Sequence, residues 1–238
     1  MNLTQPKINI YEFRFFKINV QAKNLLDFAK NLYDLTKENA DLFTGIPDGY
    51  KIFHKSDNIF PVVQIGVQDS YLTITAYGDY ARQAVQIWMQ IYARTHYGVF
   101  EHYQMLTEHY SLQFLDGLKA TYEVKTMLVN HELYNSLREI SDTGEKKEKL
   151  AQYIVNMYFP FFTHLGYNHK EQGQGFEIKA EVIRFRKHRY FYKTFAKASK
   201  HAAYGIKFRT NIYLPHIFSI GLAKSLGYGK LYWILDKH

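Results

Sequence analysis

Twice along this chain the spacing of apolar residues changes in the same order, and that order restricts the fold more than any single motif. Ile8 to Val20 alternates and is rich in β-formers, as a long strand requires. Leu25, Phe28, Leu32 and Leu35 then recur at helical spacing behind Asn24, a capping residue, and the helix ends near Asn39. The loop LFTGIPDGYKIFHKSDN is punctuated by Gly45, Pro47 and Gly49. FPVVQIGV and YLTITAY read as two strands with a turn at Gln68 to Ser70. Asp79 is placed to cap a second helix with Ala84, Trp88 and Ile91 on its apolar face, and a last strand falls near residues 98 to 115. Strand, helix, strand, strand, helix, strand is the ferredoxin-like pattern.

The second half repeats it. A strand at Thr121 to Val129 is followed by a short helix from His131 to Ile140, a polar turn SDTGEKKEK, and a longer helix marked by Leu150, Ile154 and Met157. Strands then fall at Phe176 to Lys187, Gly205 to Leu214 and Lys230 to Leu235. The expected class is α+β, two ferredoxin-like (βαββαβ) domains in tandem, residues 1–115 and 116–238; a chain of 238 residues suffices for two cores of ordinary size.

Charge separates the two halves. The chain carries a formal +8, and residues 179 to 209 alone hold ten basic side chains against one acid, Glu181, so the rest sums to about −1. Interleaved with that block are Phe185, Tyr190, Phe191, Tyr192 and Phe195. Lys and Arg release counterions from phosphate while aromatic faces stack on unpaired bases, so the segment reads as a polyanion-binding surface rather than a solvated strand that aids solubility. Arg184, Arg186, Lys187, Arg189, Lys193, Lys197 and Arg209 are its candidate RNA contacts. The chain has no Cys, which rules out disulfides, cysteine-ligated metals and a thiol nucleophile. The N-terminal stretch lacks a basic segment followed by an apolar one, and no apolar run reaches the roughly 18 residues of a membrane span, so a cytoplasmic protein without a membrane partner is expected.

Near the C-terminus, SIGLAKSLGYGK sets three glycines, two lysines and a serine between apolar runs. Backbone amides of glycine-rich loops approach anions closely, which makes Gly221, Lys224, Ser225, Gly227 and Gly229 candidates for phosphate. It is not a nucleotide loop of the Walker type, because Ala223 precedes Lys224 and Ser225 and no long helix follows. The dinucleotide fingerprint fails on glycine spacing and on the missing βαβ unit.

The stretch GIKFRTNIYLPHIFSIGLAKSLGYGK resembles the C-terminal signature of the CRISPR-associated endoribonucleases that cut precursor CRISPR RNA within its repeats, the subtype I-B branch in particular. Phe208, Asn211, Leu214, Pro215, Gly221, Lys224, Ser225, Gly227, Tyr228 and Gly229 fall on matching positions. FHKSDNIFPVVQIGV is similar to that branch's histidine segment leading into a strand, and YEVKTMLVNHELYNSLREI to its linker strand and short helix. The resemblance implies two ferredoxin-like folds, a glycine loop that either lies along RNA or braces the C-terminal sheet, and CRISPR repeat RNA as partner, with other CRISPR-associated proteins joining in an effector complex and a monomeric or homodimeric state.

It also implies a ribonuclease that needs neither metal nor cofactor. The ribose 2′-hydroxyl attacks its own phosphorus and expels the 5′-oxygen, so the protein aligns the hydroxyl, moves protons and offsets charge on the phosphorane. Histidine suits proton transfer near neutrality. His54 occupies the loop position of the family's catalytic histidine. Where family members carry a second histidine two residues on, this chain has Ser56, which lowers the expected rate or passes the role to Lys55 or Tyr50. A repeat-RNA-binding scaffold without catalysis is the alternative. His96, His102 and His109, with Glu101 and Glu108, lack a repeated ligand spacing, and no metal site is expected there.

Overall fold

A computed structural model describes residues 7–19, 25–53, 60–68, 71–96, 98–165, 177–189, 192–193, 200–215, 218–221 and 229–234. Two compact units divide the chain, one holding Ile8–Tyr110 and the other Lys7 and the described residues from Ser111 onward.

In the N-terminal unit the elements follow the expected order: β1 (Lys7–Asn19), α1 (Leu25–Glu38), β2 (Val63–Gln68), β3 (Tyr71–Tyr77), α2 (Asp79–Thr95) and β4 (Tyr103–Ser111). The sheet runs β2-β3-β1-β4, the ferredoxin-like arrangement, with β3 antiparallel to both β1 and β2. Alternation decides the two faces of β1. Phe13 and Phe15 are fully buried toward the helices, where the Phe15 ring meets Trp88 of α2 edge-on at 5.7 Å. Glu12 and Arg14 point the other way, opposite Thr75 and Thr73.

Gly78, not Asp79, holds the cap position of α2. It adopts φ +94, open to glycine and strained for other residues, and Asp79 becomes the first helical residue. Its carboxylate accepts a hydrogen bond from the Tyr11 hydroxyl instead. Between α1 and β2 the chain makes two 3-10 turns, Ala40–Phe43 and Gly49–Phe53, which bury Phe43, Ile52 and Phe53.

The C-terminal unit contains β5 (Gln113–Phe114), β6 (Ala120–Leu128), α3 (His131–Glu139), α4 (Thr143–His164), β7 (Ala180–Lys187), β8 (Tyr192–Lys193), β9 (Lys200–His201), β10 (Ala203–Thr210), β11 (Ile212–Tyr213) and β12 (Leu231–Trp233). Its main sheet is ordered β12-β6-β10-β7, again ferredoxin-like and antiparallel at each junction. β5 with β11 and β8 with β9 form two-stranded ribbons.

The expected polar turn SDTGEKKEK is instead the opening of α4. Asp142 caps it by accepting from the Glu145 N–H at 2.8 Å, and Glu145 stands three residues on, a pattern that starts helices. α3 is capped the same way by Asn130, which accepts from the Leu133 N–H. Tyr158 and Phe161 of α4 reach Phe208 and Phe218, with the Phe161 and Phe218 rings 4.7 Å apart. Between β10 and β12, where the motif has its second helix, the described residues form only β11 and a bridge between Ser219 and Lys230.

Candidate nucleic-acid interface

Pairing register sorts the basic block of β7 onto two faces. Val182 lies opposite Phe208 in the core, but the ladder shifts by one residue before Arg184 pairs with Lys207. That irregularity resets the alternation. Phe185 falls opposite buried Ile206, and Arg184 and Arg186 point to the face away from α4. The same face receives Lys207 and Arg209 from β10 and, across from them, Glu123 and Thr121 of β6. Lys125 follows one pleat further along β6.

Arg184, Arg186 and Arg209 are exposed, and Lys207 is half-buried. An ion pair tempers the group: Arg184 Nη2 lies 3.7 Å from Glu123 Oε1, a surface pair of small energetic worth. Among the described residues the face thus sets Arg184, Arg186, Lys207, Arg209 and Lys125 against Glu123 and Glu181. Lys187 takes the opposite side, where its Nζ donates to the Tyr134 hydroxyl at 3.2 Å and sits 4.7 Å from that ring's centre. Arg189 is exposed just past the strand. Lys193 belongs to the β8–β9 ribbon.

The stems of the glycine-rich stretch are anchored on the same sheet. The Ile220 N–H donates to the Gly229 carbonyl at 3.0 Å, and Leu231 N–H to the Phe218 carbonyl at 2.8 Å. Gly229 N–H in turn donates to the Thr126 carbonyl of β6. Both stem glycines are required by geometry. Gly221 (φ +91) would set a Cβ 2.7 Å from the Leu128 carbonyl, and Gly229 (φ +77) would drive one into the Ile220 carbonyl oxygen. At this end of the sheet His188 Nε2 lies 2.9 Å from the Lys125 carbonyl oxygen, and the His131 and His201 rings are 5.8 Å apart.

Of the sequence-predicted catalytic trio only Tyr50 is described. It stands on the Gly49–Phe53 turn, its ring 5.8 Å from Tyr33 of α1, whose hydroxyl pKa is raised first by burial and then by Tyr50. His54, Lys55, Lys197, Lys224, Ser225 and Gly227 lie outside the described residues, as do Tyr190, Phe191 and Phe195. Two histidines of the N-terminal unit have local partners. His96 stacks on Tyr92 at 4.0 Å, and His109 Nδ1 lies 2.7 Å from Asn9 Oδ1. Glu101 accepts from Lys17 at 2.7 Å, which holds its carboxyl below the usual range. Among the described residues no group of three or more His, Asp or Glu gathers as metal ligands would.

Sequence reasoning does not find Lys125 and Tyr232 as members of this face, although the alternation of TYEVKTML places Glu123 and Lys125 together. Phe185, by contrast, belongs to the core side, where it meets Tyr204 at 6.4 Å.

Whole-chain comparison places the architecture among solved structures. A crystal structure of the CRISPR RNA processing endoribonuclease Cas6b aligns over 96% of this chain and 100% of its own, with TM-score 0.67 and 13% identity. A second Cas6b crystal structure gives 0.66 and 14% over the same spans. The chain has the Cas6b fold. Csf5, a type IV Cas6 crRNA endonuclease, aligns over the same shares of both chains at TM-score 0.53 and 15% identity. No protein-family model matches the sequence, and no curated protein matches it either. In the Cas6b-type frame the C-terminal sheet presents its cations away from α4, and no helix of the described residues is long and apolar enough to cross a membrane.

Proposed function

We propose that the chain is an endoribonuclease that cuts CRISPR repeat RNA from its precursor into guide RNAs. The supporting observation is the conjunction, in one chain, of a Cas6b-type fold along its whole length with an exposed cationic face built on the C-terminal sheet. Arg184, Arg186 and Arg209 face one way from the sheet as a phosphate-binding surface does, Lys187 lies on its other side, and Arg189, Lys193 and Lys197 continue the basic segment along the sequence. Lys224 and Ser225 stand between glycine stems pinned to β6 and complete the RNA-binding set with Gly221, Gly227 and Gly229.

The nucleophile in this scheme belongs to the RNA. The ribose 2′-hydroxyl attacks the adjacent phosphorus in line, the 5′-oxygen leaves with a proton, and the products are a cyclic phosphate and a 5′-hydroxyl. A metal is not needed, because the protein only positions the phosphate and moves two protons. His54 is the proton carrier. Tyr50, on the turn that leads toward it, and Lys55 beside it supply the second proton function. General acid and base help of this kind is worth about 10² to 10⁴ in rate. A second reading, a scaffold that holds repeat RNA without cutting, is favoured by Ser56 at the position where a partner histidine is expected.

Incubation with end-labelled repeat RNA in EDTA separates the two. Cutting that disappears with a 2′-deoxy substitution at the scissile ribose supports the enzyme, and tight binding of intact RNA supports the scaffold. His54→Ala is expected to abolish cutting with affinity held within a few fold; retained cutting would remove His54 from the chemistry. Neutralising Arg184, Arg186 and Arg209 together should reduce the log-log salt slope of binding by nearly one for each phosphate that the sheet no longer neutralises. An unchanged slope would take this face out of the interface.

A further inference from the structure

Among the described side chains, the aromatic component of the face comes from β12 rather than from the basic block. Tyr232 of β12 pairs in register with Glu123, Glu123 with Lys207, and Lys207 with Arg184. Four residues from four strands thus form one row across the sheet, three inter-strand steps or roughly 14 Å long. Tyr232 is 42% exposed, and the Lys125 ammonium lies 4.8 Å from its ring centre. The backbone beneath is fixed by the β6–β12 ladder and by His188 against the Lys125 carbonyl.

An exposed aromatic ring at the edge of a rigid sheet, with Lys125 beside it and Lys207 and Arg184 further along the row beyond Glu123, matches what an unpaired nucleotide needs: a flat surface for the base and positive charge along the path of the adjoining phosphates. A base inside a duplex is covered on both faces and cannot lie on such a ring without leaving its stack. We propose that this row is a subsite for single-stranded RNA, with one base stacked on Tyr232 and the adjoining phosphates held by Lys125, Lys207 and Arg184. The subsite rests on the RNA-binding function proposed for this sheet and adds to it a preference for an unpaired strand. Among the described residues of this unit two further exposed rings, Trp233 and Tyr213, meet each other edge-on at 6.2 Å, and Trp233 is one residue out of phase with the cationic row.

The test is fluorescence anisotropy with a labelled oligouridylate and a blunt RNA duplex, on wild type, Tyr232→Ala and Tyr232→Phe. Tyr232→Ala should weaken oligouridylate binding about tenfold and leave the duplex unchanged, while Tyr232→Phe, which keeps the ring, should stay within about twofold of wild type. Equal melting temperatures for the three proteins exclude a folding effect. The subsite is overturned if Tyr232→Ala binds oligouridylate like wild type, if Phe and Ala lose equally, if the duplex suffers as much as the single strand, or if wild type does not bind oligouridylate. Repeat-RNA cutting by wild type is scored separately, so loss of the subsite leaves the endoribonuclease reading standing, and absence of cutting leaves a ring-dependent affinity standing.

Discussion

Both four-stranded sheets have the same strand order, yet they treat the face turned from their helices in opposite ways. In the N-terminal unit the centre of that face is polar and buried: Glu12 is 1% exposed and accepts from Arg14 Nε, and Gln64, Thr73 and Thr75 beside it are buried, with the Tyr77 hydroxyl donating to Gln64 at 3.4 Å, while Tyr71 at the end of β3 is exposed. In the C-terminal unit the corresponding face carries exposed arginines and an exposed tyrosine. The units also differ after their third strand. There the N-terminal one packs a 17-residue helix around Trp88, while the described residues of the other form a clamp closed by Gly221 and Gly229. One frame thus serves once as a stable body and once as a presenting surface, and charge placement rather than topology makes the difference.

The sharpest way to break that contrast is at the clamp. Gly229→Ala should destabilise the C-terminal unit by more than about 3 kcal/mol, because the new Cβ collides with backbone and φ is positive. Gly45→Ala in the N-terminal unit, where a Cβ meets nothing within 4 Å, should be neutral or slightly stabilising. Thermal melts of the two variants decide the point, and equal melting temperatures would mean that the clamp is dispensable.

Next in size is the helix side of the N-terminal sheet. Trp88 is fully buried between Phe15, Phe28 and Phe100, so Trp88→Ala should cost about 3 to 5 kcal/mol. Amide exchange should quicken across β1 to β4 while β6, β7 and β10 keep their protection. Equal loss in both units would show that the two cores are one cooperative body.

Alkali probes the same contrast through buried phenols. Burial raises Tyr80 to about 12, with Asp48 adding to it, and burial together with Glu108 and Glu12 raises Tyr77 well above its ordinary value. The folded state holds both rings neutral, so their contribution is complete below about pH 10, where the unfolded chain begins to ionise, and is lost as pH climbs toward about 12. The N-terminal unit should therefore loosen first when exchange or tyrosinate absorbance is followed from about pH 9 upward. Earlier loosening of the C-terminal unit would contradict this.

The smallest effect belongs to the acid within the cationic row. Glu123→Gln removes the partner of an exposed arginine, so stability should move by less than about 1 kcal/mol, and single-stranded RNA affinity should rise modestly at low salt. Weaker binding would mean that Glu123 positions Arg184 rather than competing with phosphate.

Much of the fold is legible in the sequence, and the reasons for the rest are local. Both strand-helix orders follow from periodicity, because Phe13, Phe15, Ala84, Trp88 and Ile91 repeat at the spacing their burial requires. The cap of α2 falls one residue earlier than the sequence suggests, because a glycine with positive φ takes over where an aspartate reads as the stronger signal. The start of α4 looks like a turn because its first residues are charged and solvated, although Asp142 and Glu145 already spell a helix start. The tyrosine of the cationic face escapes altogether: Tyr232 and Glu123 are neighbours only through strand pairing, which no local window reveals. The residues proposed for proton transfer, His54 and Lys55, are legible only through family resemblance.

The clamp that closes on Gly221 and Gly229 also has an evolutionary consequence. Its stems are satisfied by backbone bonds to each other and to β6, so the closure asks of Gly221 and Gly229 only that they carry no side chain. Selection on the clamp thus falls on two hydrogen atoms standing where other residues carry a Cβ, so Gly221 and Gly229 should be the last positions of this stretch to drift.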